Sequence, residues 1–482
     1  DFIISSEAYK AGKNKFTVAF VLPTGFTGRI VSANTSTTSN RDLSATFATD
    51  DKSKNCSVEA VIVFNYVSGR LSFGCSYDDE SQREDGGEPL NCSERLKFEK
   101  YGSSYMVTKE SYSGSNLIKN VESLDIPQTF DGYPVTMIGS YAFSNFKELK
   151  RITIPLGVSY IGDGAFYGCS SLESAIIPNS VTSIGYQAFD NCDSLKFIEY
   201  NNAFYLGNDA SPHLAFIKSN NTTHIDIPDT TRVICGGAFK DRSDIDSVTI
   251  GKGITIIPNS AFSGSSLRSL NISDNLTRIG DNAFNGCRSL IAVTIPISVT
   301  SIGDDVFSGC DSLTNITVNE GNNAYRSIDG NLYTVDGTVL LRYAAGKLDT
   351  TYKISDEVIN IADNAFNDCD RLKNITIGNG VTEISRSTFK DCSNLTTVTI
   401  GNGVTAIGDA FGWLGKLTNI TVSEGNAKYK SINGNLYTKD GKTLVRYAAG
   451  KSDSEFVISD TVTDIGEYAF NGCGSLTSVV IS

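Results

Sequence analysis

The sequence is poor in histidine, methionine, tryptophan and basic residues. The shortage of basic residues excludes strongly anionic partners. Only two His, two Met and one Trp occur among 482 residues, and Asp and Glu outnumber Lys and Arg by 54 to 41. The net charge of −13 argues against nucleic-acid binding, which needs a basic face, and against docking on an anionic membrane. No apolar run approaches the roughly 20 residues of a membrane helix. We therefore expect no nucleic-acid partner and no transmembrane segment.

The sequence also lacks the residue patterns of catalytic and metal sites. His213 and His224 have no carboxylate at ligand spacing, so we interpret both as surface or turn residues. The acidic sites at 304–305 and 329–330 are not followed by a calcium-binding loop, which indicates turns. No Gly-x-Ser-x-Gly elbow or glycine-rich loop leads into a helix. We expect a protein that is not an enzyme and has no catalytic, metal or cofactor residues.

The sequence is dominated instead by an internal repeat. The stretch 161–172, Ile-Gly-Asp-Gly-Ala-Phe-Tyr-Gly-Cys-Ser-Ser-Leu, returns 23 residues later at 184–195 as Ile-Gly-Tyr-Gln-Ala-Phe-Asp-Asn-Cys-Asp-Ser-Leu. A fixed period of this order is typical of solenoids, in which each repeat buries its apolar side chains against its neighbours. About eleven repeats begin at Ile138, Ile161, Ile184, Ile234, Ile257, Ile279, Ile302, Ile361, Ile384, Ile407 and Ile465.

Each repeat predicts two short strands and a buried aromatic residue. In the segment 313–318, Ile316 and Val318 alternate with polar residues, so the apolar pair faces inward and the polar residues face water. The segment 299–302 is a second extended run on the opposite wall. Phe307 fills the interior before a tight turn. Stacked copies predict parallel strands spaced by about 4.8 Å.

Seven of the eleven cysteines occupy one repeat position, three residues after the Phe. A residue fixed at one position of a repeat is a packing choice, and a free Cys packs as a small apolar group. We therefore predict buried thiols there instead of disulfides. No Cys-x-x-Cys pair indicates a zinc site. These cysteines are Cys169, Cys192, Cys287, Cys310, Cys369, Cys392 and Cys473.

Three insertions lengthen the repeats, at 200–233, 319–360 and 423–464. The second and third are closely similar, and each carries an Asp-Gly pair, at 336–337 and 440–441, between alternating apolar runs. Asp-Gly favours a type I′ hairpin turn. We therefore expect β-hairpins that protrude from one edge of the stack.

Four tyrosines recur at matching positions of the second and third insertions. Two interpretations are open: they pack the base of each hairpin, or they supply contact area, as Tyr does in many interfaces. These residues are Tyr333, Tyr343, Tyr437 and Tyr447.

The repeat pattern resembles the BspA-like leucine-rich repeat family, whose consensus includes Ile-Gly-x-x-Ala-Phe-x-x-Cys-x-x-Leu. The resemblance covers about residues 98–482. Cys235 and Pro258 replace the usual Gly, and the repeat at Ile407 lacks one residue before its Ala-Phe pair, so we expect local irregularities there. The resemblance implies an extracellular or surface-exposed protein of the kind linked to adhesion, host matrix proteins and bacterial coaggregation.

The predicted fold is mainly β, with a right-handed leucine-rich-repeat solenoid at 138–482. Residues 94–137 are predicted to be a linker and the N-terminal cap of the solenoid. Residues 1–93 carry no repeat and predict a small β-sandwich. The sequence starts at Asp1 and stops within a repeat. We expect that an export signal has been removed, and that the natural chain continues past Ser482 or that a neighbour covers this end.

The strands of the N-terminal region bear on a possible disulfide. A strand is predicted at 16–22, and a hairpin is predicted from 57–66 and 70–77. In the predicted register Cys75 lies opposite Ile62, which disfavours a Cys56–Cys75 bridge. Cys92 is the better partner for either cysteine.

The outward positions of the repeat strands form the candidate ligand-binding surface, a broad array of small polar residues. Good β-formers facing water are the simplest reason for such an array, and repeat stacks also bind ligands there. Phe197 and Trp413 are unexpected, and each is either covered by an insertion or free for a ligand. The candidate residues are Arg151, Thr153, Phe197, Glu199, Thr249, Thr294, Thr317, Thr376, Thr399 and Thr421.

Three functional hypotheses follow. The leading one is a non-catalytic adhesion protein, secreted or at the cell surface, that binds an extracellular protein or glycan through the solenoid face or the hairpins. The alternative is a structural spacer that displays another domain away from a cell envelope. The third is a glycan-degrading enzyme with its site in the N-terminal region, but the acidic residues at 78–80 are merely adjacent in a loop and form no catalytic pair.

Overall fold

The computed structural model describes residues 96–108, 121–208, 211–219, 222–412 and 414–481, together with six strands of the first 95 residues. The chain divides into two compact units. We call Asp1–Asn91 the N-terminal unit and Cys92–Ser482, which contains all the repeats, the repeat unit. Within the described residues every helix or strand element is a β-strand. The mainly β fold is therefore confirmed.

The N-terminal unit contains two antiparallel sheets. Strands β1 and β2 pair with each other, and β3 to β6 form a four-stranded sheet in chain order. Their packing as a sandwich stays a prediction. The strands are β1 (Phe2–Ile4), β2 (Val18–Phe20), β3 (Gly28–Thr35), β4 (Arg41–Thr49), β5 (Ser57–Asn65) and β6 (Arg70–Tyr77).

The predicted hairpin is present as β5 and β6, but its predicted register is wrong. Cys75 lies opposite Ala60 and not opposite Ile62. The last pair of the hairpin joins Asn65 to Arg70. Cys56 and Cys92 lie outside the described residues.

The repeat unit begins with β7 (Lys97–Tyr101), β8 (Ser104–Thr108), β9 (Ser123–Asp125), β10 (Thr129–Phe130), β11 (Tyr133–Ile138), β12 (Arg151–Thr153), β13 (Tyr160–Ile161), β14 (Ser174–Ile176), β15 (Ser183–Ile184), β16 (Ile198–Tyr200), β17 (Ala203–Asn208), β18 (Ser211–Ser219), β19 (His224–Asp226), β20 (Val233–Ile234), β21 (Ser247–Thr249), β22 (Ile256–Ile257), β23 (Ser269–Asn271), β24 (Arg278–Ile279), β25 (Ala292–Ile295), β26 (Ser301–Ile302) and β27 (Asn315–Val318).

It continues with β28 (Tyr325–Ile328), β29 (Asn331–Thr334), β30 (Val339–Arg342), β31 (Thr351–Lys353), β32 (Asn360–Ile361), β33 (Asn374–Thr376), β34 (Glu383–Ile384), β35 (Thr397–Ile400), β36 (Ala406–Ile407), β37 (Asn419–Val422), β38 (Tyr429–Ile432), β39 (Asn435–Thr438), β40 (Thr443–Arg446), β41 (Glu455–Ile458), β42 (Asp464–Ile465) and β43 (Ser478–Ile481).

The predicted repeats are the coils of a β-solenoid. Eleven isoleucines begin the repeats, and each of them is the last residue of a short strand that we call a back strand. Back strands pair in parallel with the next coil, as Ile138 with Ile161 and Ile161 with Ile184. The following Gly is needed because coils approach closely: a Cβ on Gly162 would lie 2.5 Å from the Ser140 nitrogen.

The second strand of each coil, which we call a front strand, shows the predicted alternation. In β12 the side chain of Ile152 is buried, whereas Arg151 and Thr153 are exposed. The front strands also pair in parallel, as Ile152 with Leu124 and Ala175. Because Leu124 belongs to β9, the front sheet already begins within the predicted cap at 94–137.

The repeat phenylalanines form columns along the interior. Phe284 is fully buried, and its ring centroid lies 5.3 Å from that of Phe262 and 5.7 Å from that of Phe307. Phe166 and Phe366 are also fully buried. Each coil thus covers the phenyl ring of its neighbour, as expected for a solenoid.

The described repeat cysteines carry free thiols, as predicted, and all except Cys473 are buried. The thiol of Cys310 donates a hydrogen bond to the backbone oxygen of Phe284 one coil earlier, at 3.1 Å. Cys192 and Cys392 make the same bond to Phe166 and Phe366. The repeat position therefore favours a small apolar group that can also donate a weak hydrogen bond to the preceding coil.

The predicted hairpins exist, but the expectation that they protrude is wrong. Each insertion is a three-stranded antiparallel meander whose third strand pairs in parallel with the next back strand, as Leu340 of β30 pairs with Ile361 of β32. Tyr343 takes the place of the repeat phenylalanine and stacks on Phe366 at 5.5 Å. The insertions are therefore extra rungs of the stack, because their apolar strands become buried between coils.

The predicted type I′ turn lies one turn earlier than expected. Asp329 and Gly330, between β28 and β29, both have positive φ, as this turn requires. At the Asp-Gly pair 336–337 only Gly337 has positive φ. There the Asp336 carboxylate accepts hydrogen bonds from the Thr334 and Thr338 hydroxyl groups and the Thr338 amide.

We expect the buried thiols to resist alkylation in the native protein. Burial raises the pKa of the Cys287 thiol to about 11 and that of Cys235 to about 12, and only the thiolate reacts readily. Iodoacetamide at pH 8, followed by peptide mass spectrometry, should leave both cysteines unmodified until guanidinium is added. Rapid modification of either thiol without denaturant would contradict this packing.

Candidate binding surfaces

The front strands present the predicted array of small polar residues, but this array is divided into several sheets. The longest uninterrupted sheet contains β31, β33, β35 and β37. In it Thr399 pairs with Thr376 on one side and Thr421 on the other. These three threonines, which we call the threonine ladder, are all partly exposed.

The other predicted residues lie on different sheets. Thr294 pairs with Thr317 across β25 and β27, and Thr249 lies on β21. Arg151 and Thr153 lie on β12, much nearer the N-terminal end of the stack. The structure therefore brings together two threonine groups and does not join all the candidates in one site. Their role in ligand binding stays a prediction.

Phe197 and Glu199 do not belong to a parallel front sheet. Glu199 lies on β16, which pairs antiparallel with β17 of the first insertion. Phe197 is half-buried: its ring centroid is 5.8 Å from that of Phe204, and the Lys218 ammonium lies 4.9 Å from it. The insertion therefore partly covers Phe197. Trp413 lies outside the described residues.

The repeated tyrosines pack inside the stack and do not supply contact area. Tyr343 and Tyr447 are 1% exposed, and Tyr333 and Tyr437 are also buried. The Tyr333 and Tyr352 hydroxyl groups are hydrogen-bonded to each other at 2.7 Å. This result removes the tyrosines from the candidate binding surface.

A His–Ser–Asp group lies on the front sheet, although we expected no carboxylate partner for His224. Its Nδ1 is 2.5 Å from the Ser247 hydroxyl, and its Nε2 is 3.2 Å from Asp226 Oδ1. The expectation was wrong because residues two apart on a strand share a face. His224 and Asp226 are 56% and 58% exposed, so the group lacks the buried orienting carboxylate of a hydrolytic triad.

His213, which we interpreted as a surface or turn residue, lies on β18 and is half-buried beside aromatic neighbours. Its ring centroid lies 4.6 Å from that of Tyr200 and 5.3 Å from that of Tyr205. In the described part of the chain, no three His, Cys, Asp or Glu side chains are grouped so that they could hold a metal ion.

Three cavities lie where insertions interrupt the regular stack. One, of about 260 Å³, is lined by Tyr186, Asp190, Lys218 and Lys240 near the first insertion. The Lys240 ammonium donates a hydrogen bond to the Tyr186 hydroxyl group at 3.2 Å. Because Lys218 and Lys240 are balanced by Asp190 and Asp241 in the lining, this cavity selects no particular charge.

The other two cavities flank the second insertion. The larger, of about 490 Å³, is polar and contains Arg288, Asp311, Asp368, Asp370 and Lys390. Burial raises the pKa of Asp311 and of Asp368. The smaller, which we call the slot, has a volume of about 280 Å³. Its lining includes Asp304, Asp305, Phe307, Leu332, Arg342 and Asp363.

The second and third insertions each bury an arginine that is not among the predicted site residues. Arg446 is 4% exposed. It donates to Asp409 Oδ1 at 3.1 Å and to the backbone oxygens of Phe411, Tyr468 and Asn471. Burial lowers its pKa, an effect that Asp409 opposes. The signal in the sequence was the repeated Arg-Tyr-Ala-Ala-Gly-Lys segment, at 342–347 and 446–451.

We expect Arg446→Met to destabilise the repeat unit strongly. The substitution leaves Asp409 and three carbonyl oxygens without their shared donor, and breaking such a buried pair costs about 3–5 kcal/mol. Urea unfolding followed by circular dichroism measures the change in the free energy of unfolding. Arg268→Met is the control: Arg268 is 64% exposed beside Asp246, so its loss should cost less than about 1 kcal/mol. Equal effects of the two substitutions would contradict the role of Arg446.

Comparison with known proteins places these surfaces in context. The BspA type leucine rich repeat region matches in six copies, at residues 109–210, 212–331, 346–439 and 447–482. No curated protein matches the chain. In the part of the chain that the structure describes, no helix has the length and apolar character needed to cross a membrane.

Solved structures of several bacterial proteins are similar. A leucine rich cell surface protein from Faecalibacterium prausnitzii is 27% identical over 83% of this chain and 96% of its own, with a TM-score of 0.41. A leucine-rich repeat protein from Eubacterium ventriosum is 21% identical over 78% and 80%, with a TM-score of 0.37. The pneumococcal vaccine antigen PcpA is 18% identical over 80% and 96%, with a TM-score of 0.39.

Proposed function

The chain belongs to the BspA type leucine-rich repeat family, and from this premise we propose that it is a non-catalytic surface or secreted protein that binds an extracellular protein or glycan. Stacked repeats of this family are generally non-enzymatic. Their usual contribution is an extended surface on which side chains from successive coils act together. The family resemblance also supports a location outside the cell.

The threonine ladder is the observation on which the proposal depends. Hydroxyl groups from Thr376, Thr399 and Thr421 stand on adjacent strands, and a hydroxyl both donates and accepts hydrogen bonds. The neighbouring outward column, Asn374, Thr397 and Asn419, adds two amide groups and one hydroxyl with the same double capacity. Such a surface suits the hydroxyl groups of a glycan or the polar surface of a protein.

The hairpin route to binding loses support, because the tyrosines that would have formed the contacts are buried. The front face is therefore the surface that we assign to the partner. The second hypothesis, a structural spacer, makes the opposite prediction for this face: bulky changes there should leave function intact.

We expect Thr399→Arg to reduce partner binding at least tenfold, because Thr399 is the centre of the ladder and a long charged side chain would block contact across three coils. Thr405→Arg is the matched control, since exposed Thr405 precedes the back strand of the same coil. Glycan arrays and pull-downs with purified extracellular-matrix proteins identify the partner, and titration gives the affinities.

Two outcomes would count against the proposal. If neither screen finds a partner, the proposal that the protein binds an extracellular protein or glycan is contradicted. If a partner binds equally to the Thr399→Arg and Thr405→Arg variants, the front face is not the binding surface. Unchanged thermal unfolding midpoints are needed for both variants, so that loss of binding is not loss of folding.

A further inference from the structure

The slot marks a place where the regular hydrogen bonding between coils stops. In the coils at Ile138, Ile161, Ile257 and Ile279, the amide of the repeat Phe and the amide two residues earlier both donate to the next coil, as Phe143 to Ala165 and Tyr141 to Asp163, each at 2.8 Å. Among the described residues, the coils at Ile184, Ile384 and Ile407 lack both bonds. The matching amides of the coil at Ile302 belong to Phe307 and Asp305. Among the described residues, no acceptor meets either amide. Both residues line the slot.

The third insertion provides an internal comparison. The coil before it has the same sequence pattern as the coil before the second insertion, but it is one residue shorter. The slot coil reads Ile-Gly-Asp-Asp-Val-Phe at 302–307, and its counterpart reads Ile-Gly-Asp-Ala-Phe at 407–411. In the shorter coil Asp409 reaches Arg446 at 3.1 Å, and Arg446 also donates to the Phe411 oxygen at 2.9 Å. Arg446 thus links the insertion to the coil before it.

The arginine of the second insertion does not make this link. Arg342 donates to the backbone oxygens of Asn364 and Asn367, at 2.7 and 2.8 Å, which both belong to the coil after it. Asp305, the counterpart of Asp409, accepts instead from the side-chain amide of Asn364 at 2.8 Å. The extra residue therefore leaves the slot open on the side of Asp305 and Phe307.

The chemistry of the slot suits an extended peptide. Two backbone donors without acceptors can bind the carbonyl oxygens of a strand, as when a peptide adds to a sheet edge. Leu332 and Ile302 offer apolar contact inside, and the exposed carboxylates of Asp304 and Asp363 lie in the lining. The volume of about 280 Å³ is near the lower limit of the roughly 300–1,000 Å³ of ligand pockets, so only a short segment fits.

We infer that the slot binds a short extended segment of a partner protein, with small uncharged residues inside and basic residues at its ends. The acidic lining and the net charge of −13 attract such a segment and repel an acidic one. A second copy of this chain carries the same negative charge and is a poor occupant. The inference rests on the proposed function, because it takes the partner to be a protein.

The probe is a fluorescein-labelled peptide, Lys-Val-Thr-Val-Lys with blocked ends, titrated with the full chain and followed by fluorescence anisotropy. The same peptide with Glu at both ends should bind at least tenfold more weakly. Deleting Asp304 shortens the slot coil to the length of its counterpart. We expect this change to let Asp305 reach Arg342, close the slot and reduce affinity at least tenfold.

Two substitutions give a matched comparison that does not alter the backbone. Asp363→Asn should weaken binding roughly two- to fivefold, the usual effect of one exposed charge. Glu467 occupies the position that corresponds to Asp363 after the third insertion and is also exposed, so Glu467→Gln should change affinity less than twofold. This pair decides the question even if the deletion variant fails to fold.

The inference is overturned if the Glu-ended peptide binds as well as the Lys-ended one, if a folded Asp304 deletion variant keeps its affinity, or if Asp363→Asn and Glu467→Gln have equal effects. Its failure can be told apart from failure of the proposed function. A partner that is lost in Thr399→Arg but retained in the deletion variant refutes the slot alone. Peptide binding in the slot without any partner for the front face refutes the front-face proposal alone.

Discussion

Burial of the repeat phenylalanine between successive coils is the interaction on which the whole repeat unit depends. One coil is too small to enclose an aromatic ring and several aliphatic side chains, so each must be covered by the next coil. The ring spacings show this directly: Phe239 and Phe262 stack at 4.6 Å, and Phe262 and Phe284 at 5.3 Å. A change in one coil therefore acts on both of its neighbours.

This constraint explains how insertions are accommodated. An insertion that merely looped out would leave the ring of the following coil uncovered. The second and third insertions supply Tyr343 and Tyr447 in the Phe position instead, where they contact Phe366 and Phe470 at 5.5 and 5.8 Å. In each of these two insertions, a buried arginine donates hydrogen bonds to carbonyl oxygens that accept none from a backbone amide of a neighbouring coil. Two cavities flank the second insertion.

Regular and irregular parts of the stack thus offer different binding chemistry. The regular front sheet repeats one small polar group on three adjacent strands, at Thr376, Thr399 and Thr421, which favours a broad and adaptable contact. The slot occurs at an interruption, where amides lose their partners and acidic residues gather. A large partner could use both, with the ladder supplying area and the slot supplying selectivity for an extended basic segment.

The sequence by itself determined the coils, because one pattern of Ile, Gly, Phe, Cys and Leu repeats at nearly constant spacing and each position has a single packing role. Ile161, Phe166 and Cys169 are buried as that pattern predicts. Only the tertiary structure decided where the insertions go. The identity of Tyr343 does not reveal that its ring occupies the position of a repeat Phe. The identity of Arg342 does not reveal that it binds the carbonyl oxygens of a coil some 20 residues away. It also decided that Asp226 and Ser247 meet His224, and that Arg446 reaches the coil before its insertion whereas Arg342 reaches the coil after its own. Those outcomes depend on contacts between coils, and local patterns in a sequence carry no distances between coils.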